Sequence, residues 1–480
     1  MSVGPYREIV FDKDGDGPDG PAGQAARLAG LARQGCTDLL VFAHGWNNSP
    51  TTATRFYAAF FAPFPALTGP GVRLGYAGVV WPSMMFSDEP VPDFAALAAT
   101  VPGKTAVVAR IAELVGSAPA RESAFVEFGS LLRQLTDTDR AGLTASGDPE
   151  VPAFLRADPL TTYAVFAAAR EAEGAGGGGP GGGGPGVDAG GADEPGAGGP
   201  DADAGGVDEP GADGPGAGGP GAGGPGAGGP GAGGPGAGGP GVDASGAGGP
   251  GGVPGAEGPA LLGGARLKRL WKGAEEALRQ ATYYTMKRRA GVVGARGLGP
   301  VLGELADAAP GLRVHLAGHS FGGRLMAHAL LGLPDGTRTV KSVTLLQGAF
   351  SHYAFAARLP HAPGRHGSLP DLQRRIDGPL VACHSRHDTA LRVFYPLASR
   401  LSRDDDGLLG QDERRWGAVG YDGIQAVPGT AARTLGAALR DGVPGSGCVS
   451  VDAAEVVSEH SDVCHPELAR VVAKAGRFGG

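Results

Sequence analysis

The sequence predicts an α/β fold: a mainly parallel sheet flanked by helices, with a helical insertion and a long Gly/Pro-rich linker. Three observations carry this. Short apolar runs alternate with helix-like stretches, the pattern of strands buried on both faces and covered by helices. Several of these runs end directly in polar or glycine-bearing turns, as at His44-Gly45-Trp46 and Gly318-His319-Ser320. The chain has 480 residues with 90 Gly and 40 Pro, and 42 of those Gly and 13 of those Pro fall in Gly174–Gly258.

Taken in order, Tyr6–Phe11 and Asp38–Ala43 read as strands, the second ending at His44-Gly45. Thr51–Ala62 reads as a helix with a Ser/Thr start, and Val72–Trp81 as the next strand, leading into Trp81-Pro82-Ser83. Helix-like stretches follow around Phe94–Val115 and Ala124–Leu135. Beyond the tract, Leu267–Leu305 is mostly helical, with Gly291, Gly294, Gly297 and Pro300 expected to interrupt it. Arg313–Ala317 is a strand that runs into Gly318, and Arg324–Leu331 is helical. Ser342–Gln347, Leu380–His384 and Cys448–Val451 complete the strand candidates, and Pro466–Ala475 is a helix opened by proline.

Residues 1–83 and 259–480 are thus expected to form the two parts of one core, with 84–173 as inserted helices and 174–258 as linker. Inside the linker, Gly-Ala-Gly-Gly-Pro recurs five times from Gly216 to Pro240. A five-residue period is incompatible with collagen, which needs Gly at every third position. With almost no side chains to bury, such a tract cannot offset its ordering entropy and is expected to be disordered.

The formal net charge of −8 argues against a general nucleic-acid binder. No apolar run reaches membrane-spanning length, and no secretory signal is visible at Met1-Ser2-Val3-Gly4-Pro5. Cys36, Cys383, Cys448 and Cys464 lack zinc-type pair spacing and read as reduced thiols, so a cytoplasmic location is expected. No cofactor or metal is implied.

The chemistry centres on Gly318-His319-Ser320-Phe321-Gly322. A G-x-S-x-G match is expected about 0.7 times by chance in this composition, so its context decides. It follows a strand and precedes a helix, the setting of a nucleophile elbow, where side chains at the glycine positions would collide with neighbouring backbone. Ser320 then stands at a helix N-terminus, which favours a developing oxyanion. After the Asp38–Ala43 strand, His44-Gly45-Trp46 offers the complementary turn. The N–H groups of Trp46 and Phe321 are the expected oxyanion hole. Asn47 and Asn48 supply further donors or cap the following helix.

Asp388, in Cys383-His384-Ser385-Arg386-His387-Asp388, follows an apolar strand and can orient a catalytic histidine. The rival place for an acid, after Ser342–Gln347, holds Gly348-Ala349-Phe350-Ser351 and no carboxylate. His460 and His465 both lie late enough to be the base. His465 abuts Pro466 and suits a helix start, which favours His460, while Asp462 reads as a local loop or capping group.

With these residues, the chain resembles the α/β-hydrolase superfamily, within a bacterial esterase-like group. The residues that carry the resemblance are Phe42–Asn48, Trp81-Pro82-Ser83, Gly318–Gly323 and the Asp388 and His460 loops. The resemblance implies an eight-stranded sheet, a serine nucleophile, and acyl-transfer chemistry on a small-molecule or lipid ester. The insertion after Ser83 departs from the usual size, and Pro90–Arg170 is expected to roof the site. The alternatives are a lipase-like lipid hydrolase and a non-catalytic hydrolase-fold binding protein.

Weaker signals have plainer readings. Asp12–Gly17 fits the first half of a calcium loop, but the twelfth position is Gly23 and not Glu, so a turn after the first strand is expected. Cys383, His384, His387, Cys464 and His465 match no zinc spacing. The basic stretch Arg266–Lys272 reads as a helix face re-entering the domain rather than a lipid-binding one.

Overall fold

In the computed structural model, residues 3–46, 48, 50–83, 94–101, 103–136, 153–176, 264–388, 390–391 and 417–479 are described. Eight strands form one sheet: β1 (Tyr6–Val10), β2 (Asp38–Ala43), β3 (Leu74–Val80), β4 (Arg313–His319), β5 (Val340–Leu346), β6 (Pro379–His384), β7 (Ala431–Thr434) and β8 (Gly447–Asp452). Their order is β1-β3-β2-β4-β5-β6-β8-β7 and every neighbouring pair is parallel. The chain starts at the edge strand β1, passes to β2 and turns back to lay β3 between them; from β4, on the other side of β2, it builds in the opposite direction. That reversal between β2 and β4 makes a crevice at the carboxyl ends of the strands, the usual ligand position in open parallel sheets.

The helices are α1 (Gly20–Arg33), α2 (Pro50–Phe61), α3 (Phe94–Thr100), α4 (Thr105–Ser117), α5 (Glu122–Leu135), α6 (Pro159–Gly176), α7 (Gly264–Val292), α8 (Gly299–Ala308), α9 (Phe321–Gly332), α10 (Val419–Asp422), α11 (Leu435–Asp441) and α12 (Pro466–Gly476). All six residues of β2 are buried, because helices cover both faces. Its alternation divides them: Leu39, Val41 and Ala43 enter the core shared with α1, α8 and α9, while Leu40 and Phe42 enter the core beneath α2 and α12. Phe42 stacks on Phe60 at 3.8 Å between centroids and meets Tyr57 edge-on. Fully burying such a ring contributes roughly 2–3 kcal/mol.

The glycines expected to break the long helix do not do so. α7 passes through a π-helical turn, Val293–Leu298, straight into α8. They are close-contact points instead: a Cβ on Gly294 would strike the Leu325 carbonyl of α9, and one on Gly297 would lie 2.8 Å from the Gly15 carbonyl oxygen. Pro300 stands just past the π turn, where the hydrogen-bond register has already changed. Helix α1, strand β7 and helix α11 were not read from the sequence, and the Phe94–Val115 stretch divides into α3 and α4. The expected linker begins late, since residues 174–176 close the last turn of α6; its remainder lies outside the described residues.

Helices α5 and α6 pack on the first half of α7. Trp271 lies against Phe125 and Phe128 and donates to the Pro119 carbonyl at 3.2 Å, and a Cβ on Gly273 would strike the Tyr163 carbonyl. The basic stretch lies on α7, with Leu267, Leu270 and Trp271 buried and Arg269 paired with Glu171 at 2.6 Å. No described helix is long and apolar enough to cross a membrane.

Candidate active site

Strand β4 delivers Ser320 to the crevice between β2 and β5. Ser320 has φ 56° and ψ −121°, a backbone state that side-chain-bearing residues rarely adopt. It is over-determined by its neighbours: Ser320 N–H donates to the Leu346 carbonyl at 3.0 Å, and its own carbonyl accepts from Ala349 N–H at 3.2 Å. Glycines make the turn possible. A Cβ on Gly318 would strike the Gly322 carbonyl, and one on Gly322 would strike the Ala43 carbonyl. Helix α9 starts at the next residue, Phe321.

His460, on the loop between β8 and α12, reaches Ser320 Oγ through Nε2 at 2.8 Å. Its Nδ1 lies 2.7 Å from Asp388 Oδ2. A carboxylate can only accept here, so Nδ1 carries the proton and Nε2 presents its lone pair to the serine hydroxyl. Asp388 follows β6, is fully buried, and accepts from Leu391 N–H at 2.9 Å through its second oxygen. Ser385 ties the acid loop to the histidine loop: its hydroxyl donates to the Val457 carbonyl at 2.8 Å and accepts from His387 N–H at 3.1 Å.

The other late histidine goes elsewhere. His465 sits just before α12 and its Nε2 lies 2.6 Å from Asp462 Oδ1. Asp462 also accepts from Ser458 N–H at 3.0 Å and from the Ser458 hydroxyl at 2.8 Å, which makes it a local loop group.

Gly45 packs directly on the serine: a Cβ there would lie 2.9 Å from Ser320 Cβ and 2.9 Å from His319 Nδ1. The N–H groups of Trp46 and Phe321 meet no acceptor among the described residues. The Trp46 turn is held by several bonds. Trp81 Nε1–H donates to the His44 carbonyl at 3.1 Å, and Asn48 Nδ2 donates to the carbonyls of Gly45 and Trp46 at 3.3 and 3.0 Å. Ser83 accepts from Asn48 N–H at 3.2 Å and donates back to the Asn48 carbonyl at 3.0 Å. Asn48 therefore spends its side chain on this turn, and Asn47 lies outside the described residues. Tyr283 of α7, which no sequence signal singled out, packs on both Trp46 and Phe321.

Two supporting histidines are held neutral. Burial, reinforced by the charge of His460, pushes His319 down to about 3. Burial pushes His44 down to about 4, against its hydrogen bond to the Gly45 carbonyl at 2.9 Å. Near β1, Asp12 Oδ1 accepts from the N–H groups of Asp14 and Asp16 at 2.9 Å each, a turn stabilised by its own aspartate. The arrangement at β4 is a linear relay from a buried carboxylate through an imidazole to a serine hydroxyl, beside two free backbone donors. Chemically it can raise the nucleophilicity of an alcohol and stabilise an adjacent oxyanion. No model of a known protein family matches the chain, and no curated protein and no solved structure matches it either.

Proposed function

We propose that the protein is a serine hydrolase of α/β-hydrolase type that cleaves carboxylic esters through an acyl-enzyme. The observation that carries this reading is the unbroken chain Ser320–His460–Asp388, with links of 2.8 and 2.7 Å. Ser320 Oγ attacks the acyl carbonyl carbon while its proton passes to His460 Nε2. Asp388 holds the imidazole in the required tautomer and stabilises its cationic form. The carbonyl oxygen becomes an oxyanion facing the N–H groups of Trp46 and Phe321. The tetrahedral intermediate collapses, the bond to the alcohol oxygen breaks, and His460 returns its proton to that alcohol. A water then loses a proton to His460 and attacks the acyl-enzyme. Collapse releases the carboxylic acid and restores the Ser320 hydroxyl.

The direct test is fluorophosphonate labelling of the purified protein beside Ser320→Ala, with turnover measured on 4-nitrophenyl esters. Labelling and turnover lost in the variant are the expected result. A folded wild-type protein that neither labels nor turns over any ester would overturn the reading in favour of a binding role.

A further inference from the structure

Resting on that reading, we infer that Gln347 recognises the acyl part of the substrate, and that this part carries an amide group close to the scissile carbonyl. Gln347 is the first residue past β5, one step beyond the paired His319 and Leu346, so it stands beside Ser320 in the sheet register. The residue before it and the one two places after it clasp the serine: Leu346 accepts from Ser320 N–H and Ala349 donates to the Ser320 carbonyl.

Gln347 is held in an unusual state. Its φ is 48°, its N–H donates to the Cys383 carbonyl at 3.2 Å, and a Cβ on Gly420 would lie 2.6 Å from its Cα. The residue is 1% exposed, yet neither its amide nitrogen nor its amide oxygen has a hydrogen-bond partner among the described residues. Buried carboxamides are almost always satisfied, because an unpaired buried donor or acceptor is costly. An orphan of this kind on a strained residue next to a nucleophile points to a partner that arrives with the substrate.

The chemistry of the orphan selects that partner. A carboxamide offers N–H donors and a carbonyl acceptor, and a secondary amide answers both kinds of group, its carbonyl accepting from an N–H and its own N–H donating to a carbonyl oxygen. On the other side of β4, the turn after β2 carries a second orphan, the buried indole Nε1 of Trp46, which can only donate. The two strands flanking the nucleophile strand thus present two donors and one acceptor, which an alkyl acyl chain cannot pair. N-acylated amino acid esters fit this set, and simple fatty acyl esters do not.

The test compares 4-nitrophenyl esters of N-acetylglycine, 4-oxopentanoic acid and pentanoic acid, with each rate divided by that ester's spontaneous hydrolysis. The second replaces the amide N–H by CH2, and the third lacks both polar groups. Wild type is expected to favour acetylglycine over pentanoate by about 10- to 100-fold in kcat/KM, with the ketone between them. In Gln347→Met, an unbranched side chain of similar volume, that ratio should fall to within about threefold of unity. Equal wild-type rates on all three esters, with fluorophosphonate labelling intact, would overturn the amide inference and leave the hydrolase reading standing. A preference that survives in Gln347→Met would overturn the assignment to Gln347. Absence of both labelling and turnover in wild type would remove the hydrolase reading beneath it.

Discussion

His319, the residue before the proposed nucleophile, holds the backbone of the histidine that faces it: its Nε2 lies 2.8 Å from the His460 carbonyl oxygen. A carbonyl only accepts, so His319 Nε2 carries a proton, and the ring is kept neutral by burial. Phe56 packs edge-on against the same ring at 5.7 Å. Strand β4 therefore positions both ends of the reacting pair, Ser320 through its backbone and His460 through His319. The proposed base, His460, sits on a loop, where positional freedom is greatest, and this bond ties that loop to the centre of the sheet.

His319→Ala should therefore lower kcat by roughly 10- to 100-fold while changing KM little, because it loosens the base without removing any reacting group. The measurement is a kcat and KM pair on a short-chain ester, with His319→Gln, whose amide can still donate, recovering part of the loss. A His319→Ala enzyme with unchanged kcat would show that the loop holds His460 without this bond.

Asp388→Asn should cost about 10^3- to 10^4-fold in kcat, since an amide in place of the carboxylate favours the wrong imidazole tautomer. Asp462→Asn is the paired control. Asp462 serves Ser458 and His465 and does not touch His460, so its loss should alter kcat by less than about threefold. The reverse ranking of the two variants would move the acid from Asp388 to Asp462.

Much of the arrangement was legible in the sequence because strands buried on both faces leave uninterrupted apolar runs. β2, β4 and β6 could be found from composition alone, and the polar residues at their ends became the candidate residues. Ser320 and Asp388, read from those ends, and His460, read from its late place before the Pro466 helix, meet within hydrogen-bonding distance. What could not be read depends on distance rather than residue type. Gly294 and Gly297 look like helix breakers until α9 and the Gly15 turn lie against them, and Gln347 is an ordinary strand-end residue until its lack of partners among the described residues is seen. Strand β7 is short and mostly exposed, so it leaves no apolar run to find.

Gly45→Ala probes the contact between the β2 turn and the nucleophile. The added methyl would sit 2.9 Å from both Ser320 Cβ and His319 Nδ1, so it must displace the residues that set the reacting geometry. Because a shift of about 1 Å can cost roughly 100-fold, kcat should fall by that order. Gly71→Ala, where a Cβ meets nothing within 4 Å, should leave kcat unchanged. Full activity in Gly45→Ala would mean that the turn can move without consequence for the serine.

The buried histidines set an acid sensitivity that carboxylates do not explain. His44 and His319 have folded values of about 4 and about 3, and His315 is lowered by burial against the attraction of Asp38. In the unfolded chain each titrates near the ordinary value of about 6.5. Below that value the unfolded state takes up protons that the folded state refuses, so stability falls as pH drops from 7 to 5. His44 and His319 each contribute about 1–2 kcal/mol to that fall, and His315 acts in the same direction. Asp38 acts in another window. Burial raises its pKa, but hydrogen bonds from His315, Arg313 and Thr37 outweigh this and hold it below the carboxylate range. Its stabilisation is therefore present above about pH 4 and lost only below it. Urea unfolding at pH 7 and pH 5 should accordingly show a smaller pH difference in His44→Asn than in wild type, by about 1–2 kcal/mol, whatever the variant's absolute stability. Asp38→Asn should be less stable at both pH values, with most of the pH difference retained. An unaltered pH difference in His44→Asn would show that His44 is protonated in the folded protein at pH 5.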